Sequence, residues 1–234
     1  MTTVIYTAIL GGSDTLKAAP VDVADQCVCF TDAPLELHDR PDGTRSSVQV
    51  PKQSGWQIAT VPATTDPRRN AWWLRARSDL LFPDADVVLW LDASFDMIDV
   101  AALLRDAGDA ELAGLRHHER ASCYEEGAEL VGIGQSRAED VAVQLEKYRR
   151  EGFAPTALTT SGILHRRRTT RTKAFNELWD YETRLHRGDN TQLSLDYAAW
   201  KVGLPITHLQ GTYPDNPYVR YDAEDHHLHR RPYR

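Results

Sequence analysis

The chain has 234 residues, 41% of them apolar and 26% charged, with 27 Lys+Arg against 34 Asp+Glu for a formal charge of −7. This is the composition of a soluble globular protein of one domain, or at most two small ones. It excludes a membrane span, because no run approaches the ~18–20 apolar residues needed. It also excludes a disulfide framework or a four-cysteine zinc site, because the only cysteines are Cys27, Cys29 and Cys123. The acidic balance argues against a global grip on nucleic acid, although a local patch stays open. The start, MTTVIYTAIL, lacks the basic region and cleavage site of a secretory signal, so a cytoplasmic protein is expected.

The run VIYTAIL (Val4 to Leu10) predicts a buried strand that stops at Gly11-Gly12. QCVCFTD (Gln26 to Asp32) predicts a second strand, ending in Thr31-Asp32. Residues 38–55 carry Pro41, Gly43, Pro51 and Gly55 and are expected as a loop; Gly55 to Val61 is a third strand candidate. Ala71, Leu74, Ser78 and Leu81 lie at helical spacing over 68–82, before Pro83. The strongest strand is DVVLWLD (Asp86 to Asp92), apolar enough for the centre of a covered sheet. A helix over 100–106, a strand over 111–117, an amphipathic helix over 137–151 and a strand over 160–166 follow. Helices over 170–186 and 191–201 and a last strand over 204–210 complete a domain of residues 1–210. Residues 211–234 are expected as a C-terminal tail ending HHLHRRPYR. Strands alternating with helices predict an α/β fold with a mostly parallel sheet. In such sheets ligands sit beyond the carboxyl ends of the strands. The strand ends Gly11-Gly12, Thr31-Asp32, Asp92-Ala93-Ser94 and His117-His118 are therefore the site candidates.

Asp92 and Ser94 end the central strand and alternate, so both can face one side. A carboxylate and a hydroxyl there form part of a shell for Mg²⁺ or Mn²⁺ on a diphosphate. Asp92 capping the next turn explains the same residue equally well. Gly11 and Gly12 let a backbone approach a phosphate, or simply turn the chain. HHERASCYEE (His117 to Glu126) places Arg120 where it can clamp a phosphate or carboxylate, with Glu125 or Glu126 to orient it; a solvated charged turn is the plainer reading. HRRRTTRTK (His165 to Lys173) suits a polyanion or an exposed helix start. Asp189 is either a helix N-cap or a carboxylate aimed at an acceptor hydroxyl. His208 and the HHLH of 226–229 are further metal-ligand candidates, against structural roles for both.

Together and in order, these segments resemble one family, the glycosyltransferases that include the plant turgor-regulation-defect and mucilage-related proteins. The elements are YTAILGGSDTL (Tyr6 to Leu16), Cys29-Phe30-Thr31-Asp32, Gly55-Trp56, Phe82 to Asp86 and Trp90-Leu91-Asp92-Ala93-Ser94. His117, Arg120, Tyr124-Glu125-Glu126, Tyr148, Glu151-Gly152, Trp179 and Glu182 follow. The family's RDQLSF is NTQLSL here (Asn190 to Leu195), so Thr191 replaces its Asp and Asp189 lies two residues earlier. The resemblance implies a Rossmann-like A-type glycosyltransferase fold, a nucleotide-sugar donor, taken as UDP-linked, and a divalent metal (Mn or Mg). It implies that Thr7, Ile9, Gly11, Gly12, Thr31 and Asp32 hold the nucleoside, with Gln192 also lining the donor site and Arg75 neutralising the diphosphate. Asp92 and Ser94, completed by His208, would bind the metal. His117 and Arg120 would face the donor sugar or the acceptor, and Asp189 or Glu126 would serve as base. The acceptor would be a hydroxyl of a glycan or small molecule. A modified nucleic-acid base as acceptor, and an inactive nucleotide-binding module, are the competing readings.

Overall fold

The computed structural model describes residues 1–11, 14, 16–32, 37–39, 45–47, 55–186 and 191–221. Gly12, Asp189 and the HHLH of 226–229 lie outside the described residues. The strands are β1 (Thr3–Ile9), β2 (Gln26–Thr31), β3 (Leu37–Asp39), β4 (Arg45–Ser47), β5 (Gln57–Thr60), β6 (Val87–Leu91), β7 (Phe95–Met97), β8 (Leu112–Arg116), β9 (Thr159–Arg167), β10 (Thr207–Thr212) and β11 (Val219–Tyr221). The helices are α1 (Pro67–Ala76), α2 (Ser78–Leu81), α3 (Val100–Ala107), α4 (Cys123–Gly132), α5 (Ala138–Arg150), α6 (Thr170–Leu185) and α7 (Gln192–Lys201). None is long and apolar enough to cross a membrane.

Seven strands form the main sheet in the order β10-β8-β9-β6-β1-β2-β5. β6 is buried at every position, as a strand covered on both faces must be. Alternate side chains feed two cores. Tyr6, Trp90 and Leu164 pack with Phe175 and Trp179 of α6; Ile5, Leu89, Leu91 and Ile163 pack with Leu103 of α3. The pairings β1–β2, β1–β6, β2–β5 and β8–β10 are parallel. β9 runs antiparallel to both β6 and β8. This reversal sends the start of β9 to the edge where the parallel strands end, and its last residues to the opposite edge.

The basic run, which begins inside β9, therefore lies away from the rim where the parallel strands end, and the fold uses its four arginines. Arg166 is 2% exposed and donates to Tyr6 Oη (2.7 Å), Asn176 Oδ1 (3.1 Å) and Ala76 O (3.2 Å). Arg167 pairs with Asp109, Arg168 with Asp86 and Arg171 with Glu111. The open polyanion surface suggested by the charge run is thus a set of ties between strand ends.

Other segments differ from expectation. The helix over 68–82 breaks at Arg77 into α1 and α2. The expected loop over 38–55 holds most of the β3–β4 pair. The charged segment after β8 contains α4, whose capping residues read as a polar turn: Ser122 Oγ accepts from Glu125 N, and Glu125 Oε2 accepts from Ala121 N. The last sheet strand is displaced to 207–212, and beyond it β11 pairs antiparallel with β7. Tyr218 is fully buried, so 211–221 pack as part of the fold.

Tyr6 Oη is the acceptor that satisfies the buried Arg166 Nη2. Tyr6→Phe keeps the ring and orphans that donor, so it should lower stability in urea by about 1–3 kcal/mol with an unchanged far-UV spectrum.

Candidate active site

β6 delivers Asp92 to the rim of the sheet, and the carboxylate is met there by two side chains from its own face. Trp90, two residues earlier on the same strand face, donates Nε1 to Asp92 Oδ1 at 2.7 Å. Arg75 reaches over from the last turn of α1 and donates Nη2 to the same oxygen at 2.7 Å. Its guanidinium lies 5.0 Å from the Trp90 ring centroid. Its other terminal nitrogen, Nη1, donates to Ser161 Oγ (2.8 Å) and Thr191 Oγ1 (3.3 Å). Arg75 Nε is buried and has no hydrogen-bond partner among the described residues. Arg75 and Asp92 are 14% and 25% exposed, so the pair sits at a rim rather than in the core.

No site role was expected from sequence for Trp90, Ser161 or Thr191, although Trp90 and Thr191 lie in family elements. Trp90 carried a usable signal, since i and i+2 share a strand face. Ser161 did not, because its place at this rim depends on the reversal of β9. Thr191 stands in place of the motif's Asp, and the structure puts its hydroxyl on Arg75. Gln192 opens α7 directly after it.

The nucleoside-side candidates divide by burial. Thr7, Ile9 and Thr31 are 1%, 1% and 2% exposed, so their side chains belong to the interior. Gly11 turns the chain at φ 63, where glycine carries no Cβ penalty. Its N–H donates to Asp32 Oδ1 (2.9 Å) and Oδ2 (3.1 Å), which ties the ends of β1 and β2 together at the rim.

At the end of β8, Glu126 is 4% exposed and holds Arg120 Nε. Burial pushes the Glu126 carboxyl up, against the pull of Arg120. Arg120 Nη2 lies 2.9 Å from His117 Nε2, while His117 Nδ1 accepts from the N–H groups of Glu119 and Arg120, both at 3.1 Å. Burial first, then the Arg120 charge, brings the imidazole down to about 4. His117, Arg120 and Glu126 are thus one unit, with Glu126 as its anchor; Glu125 is spent on the helix cap. Beyond it a cleft of about 480 Å³ opens between α4 and the end of α5, lined by Tyr124, Glu125, Arg149 and Phe153.

The metal candidates are not gathered together. Among the described residues no three His, Cys, Asp or Glu side chains form a cluster that could hold an ion. His208 lies with Nε2 3.2 Å from Thr159 Oγ1, three residues along β9 from the Gly162 beside Asp92. Ser94, 5% exposed, sits in the turn closed by Phe95 N to Asp92 O (3.2 Å). Among the described residues both hydrogen bonds to the Asp92 carboxylate fall on Oδ1, which leaves lone pairs on Oδ2. This donor set fits a hard cation completed by phosphate oxygens and water, not one held by protein alone.

A mostly parallel sheet flanked by helices, with an acid and an arginine at the end of its central strand, defines a glycosyltransferase-like domain of the A-type fold. The model of the TOD1/MUCI70 glycosyltransferase-like domain matches residues 1–210, and the chain belongs to that family. Comparison with curated proteins finds no match. Among solved structures, the apo form of the bifunctional glycosyltransferase WbbM is similar in fold, with a TM-score of 0.52 at 13% identity over 89% of this chain. This chain spans only 38% of that structure's length. A galactosyltransferase LgtC complex with donor and acceptor sugar analogs gives 0.46 at 14% identity, over 83% of this chain and 70% of that one. A CTP complex of CMP:2-keto-3-deoxy-manno-octonic acid synthetase gives 0.45 at 14% identity, over 91% of each.

The His117 environment sets a pH signature. Its imidazole should stay neutral in an NMR titration from pH 8 down to about 5 and take up its proton only near 4. Arg120→Ala should raise that midpoint without restoring the usual 6.5, because burial is the larger cause.

Proposed function

We propose that the protein transfers a glycosyl group from a nucleotide-sugar, taken as UDP-linked, to a hydroxyl of a glycan or small-molecule acceptor. The observation that carries this reading is the Arg75–Asp92 pair at the end of β6 (2.7 Å), backed by Trp90, Ser161 and Thr191. Breaking the bond from the sugar to the diphosphate builds negative charge on the leaving oxygen. A guanidinium already fixed by three oxygens stabilises that charge with little reorganisation. Gly11 and Asp32, joined at the rim, would stand on the nucleoside side, with Gln192 next along the chain from Thr191 at the start of α7. A divalent cation, Mn²⁺ or Mg²⁺, would be held by Asp92 Oδ2 and Ser94 with donor phosphates, and when bound it supplies further charge for the leaving group.

His117 and Arg120 stand on the acceptor side, where the cleft beyond them gives an acceptor room. His117 Nδ1 is taken up by the backbone N–H groups and Nε2 faces Arg120 Nη2, so the neutral imidazole positions Arg120 and accepts nothing from an acceptor hydroxyl. Glu126 is committed to Arg120, so in an inverting transfer the base role falls to Asp189. The basic run that begins inside β9 gives no support to a nucleic-acid acceptor, since Arg166 is buried and Arg167, Arg168 and Arg171 are paired away from this rim.

A hydrolysis screen over nucleotide-sugars with Mn²⁺ or Mg²⁺ tests the reading. The wild-type protein should turn over at least one donor. Asp92→Asn and Arg75→Ala should each cut that turnover by about 10²–10³ while the far-UV spectrum stays that of the folded protein. Undiminished turnover in Asp92→Asn would refute the assignment.

The metal has its own test. Mn²⁺ alone should bind weakly by water-proton relaxation, and a nucleoside diphosphate should tighten it, because the protein offers one carboxylate edge. Equal Mn²⁺ affinity with and without the diphosphate would contradict a donor-completed site.

A further inference from the structure

The site has a wall that lies just beyond the family match over residues 1–210. After β10 the chain turns back through residues 213–218 to β11, and this turn is tightly built. Asn216 Nδ2 donates to Thr212 O and Tyr213 O, both at 3.1 Å. Asn216 Oδ1 accepts from Tyr218 N (3.1 Å) and Val219 N (3.0 Å). The fully buried Tyr218 donates its hydroxyl to Asp106 Oδ2 at 2.5 Å. Tyr213 N donates to Arg116 O at 3.1 Å, which clamps the turn to the end of β8.

This frame carries the Tyr213 ring onto the Asp92 rim. The ring packs edge-on against Phe95, with centroids 5.3 Å apart. The two rings and the carboxylate converge over Gly162. A Cβ there would come within 3.1 Å of Asp92 Oδ2, Phe95 Cε2 and Tyr213 Cε2. Glycine at this position is what lets the phenol and the carboxylate stand so close to the β9 backbone. The Tyr213 ring, meeting Asp92 over Gly162, and the Arg75 guanidinium, on Asp92 Oδ1, approach the carboxylate from two elements of the fold.

We propose that Tyr213 is a donor-site residue whose O–H donates to the diphosphate of the bound nucleotide-sugar, opposite Arg75. The inference rests on the proposed donor site at Asp92. It extends that site to a segment outside the family match, and it commits to a diphosphate as the group recognised.

Tyr213→Phe removes only the O–H and keeps the ring against Phe95 and Gly162. Calorimetry with UDP, CDP, GDP and ADP and with the matching monophosphates reads the contact without needing turnover. Wild type should bind at least one diphosphate more tightly than its monophosphate. Tyr213→Phe should weaken the diphosphate by about tenfold or more and leave the monophosphate unchanged. Arg75→Ala serves as the reference for the site itself. If wild type binds no diphosphate, or Arg75→Ala binds like wild type, the donor-site reading fails and the inference with it. If Arg75→Ala loses affinity while Tyr213→Phe binds both ligands like wild type, the inference alone is overturned. Equal weakening of both ligands in Tyr213→Phe also overturns it, since the hydroxyl would then shape the site rather than hold the diphosphate.

Discussion

An arginine and an aspartate held 2.7 Å apart at the edge of the sheet organise this molecule's chemistry. Neither group is deep enough to be desolvated outright, and neither is exposed enough for water to screen the pair away. Asp92 offsets the guanidinium charge, so Arg75 can pack against Trp90 inside the rim. Arg75 in turn gathers Ser161 from β9 and Thr191 from the entrance of α7. Four separate parts of the chain therefore meet at one cation. Arg75 Nε is left buried with no hydrogen-bond partner among the described residues.

The reversal of β9 makes this convergence possible. Were β9 parallel to β6, Ser161 and Gly162 would lie at the far edge and His165 to Arg167 would lie at the rim that holds Asp92. Run backwards, the strand places small residues beside Asp92, where a close approach is needed, and its arginines where acidic residues at the starts of β6 and β8 await them. Arg166 then pins β9 to Tyr6 on β1 and to Asn176 on α6. The rigidity of one edge and the chemistry of the other come from the same strand direction.

Much of the fold was legible in the residues. β1, β2, β6 and β8 announced themselves as apolar runs, and α5 and α6 as amphipathic periods, because these patterns are local and strong. α4 was hidden, since its capping residues are polar and its segment is charged. β11 was hidden by a Pro- and Tyr-rich composition that reads as tail. Within the site, Asp92 and Arg75 came from sequence, one as the end of a buried strand and the other through family resemblance. His208 looked equally well placed, at the last strand, yet its partner is Thr159.

What the sequence by itself determined is the main-sheet strands β1, β2, β6 and β8 and the long helices α5 and α6, which strand is central, and that Gly11, Asp32 and Asp92 end up at strand termini. Periodicity and composition suffice for that, because each is set within a few neighbouring residues. What only the tertiary structure decided is the direction of β9, the consumption of the basic run, and the company Asp92 keeps. Arg75 and Thr191 are 116 positions apart, and Arg166 and Tyr6 are 160 apart. Contacts at such separations follow from how whole elements pack, and no short stretch of chain encodes them.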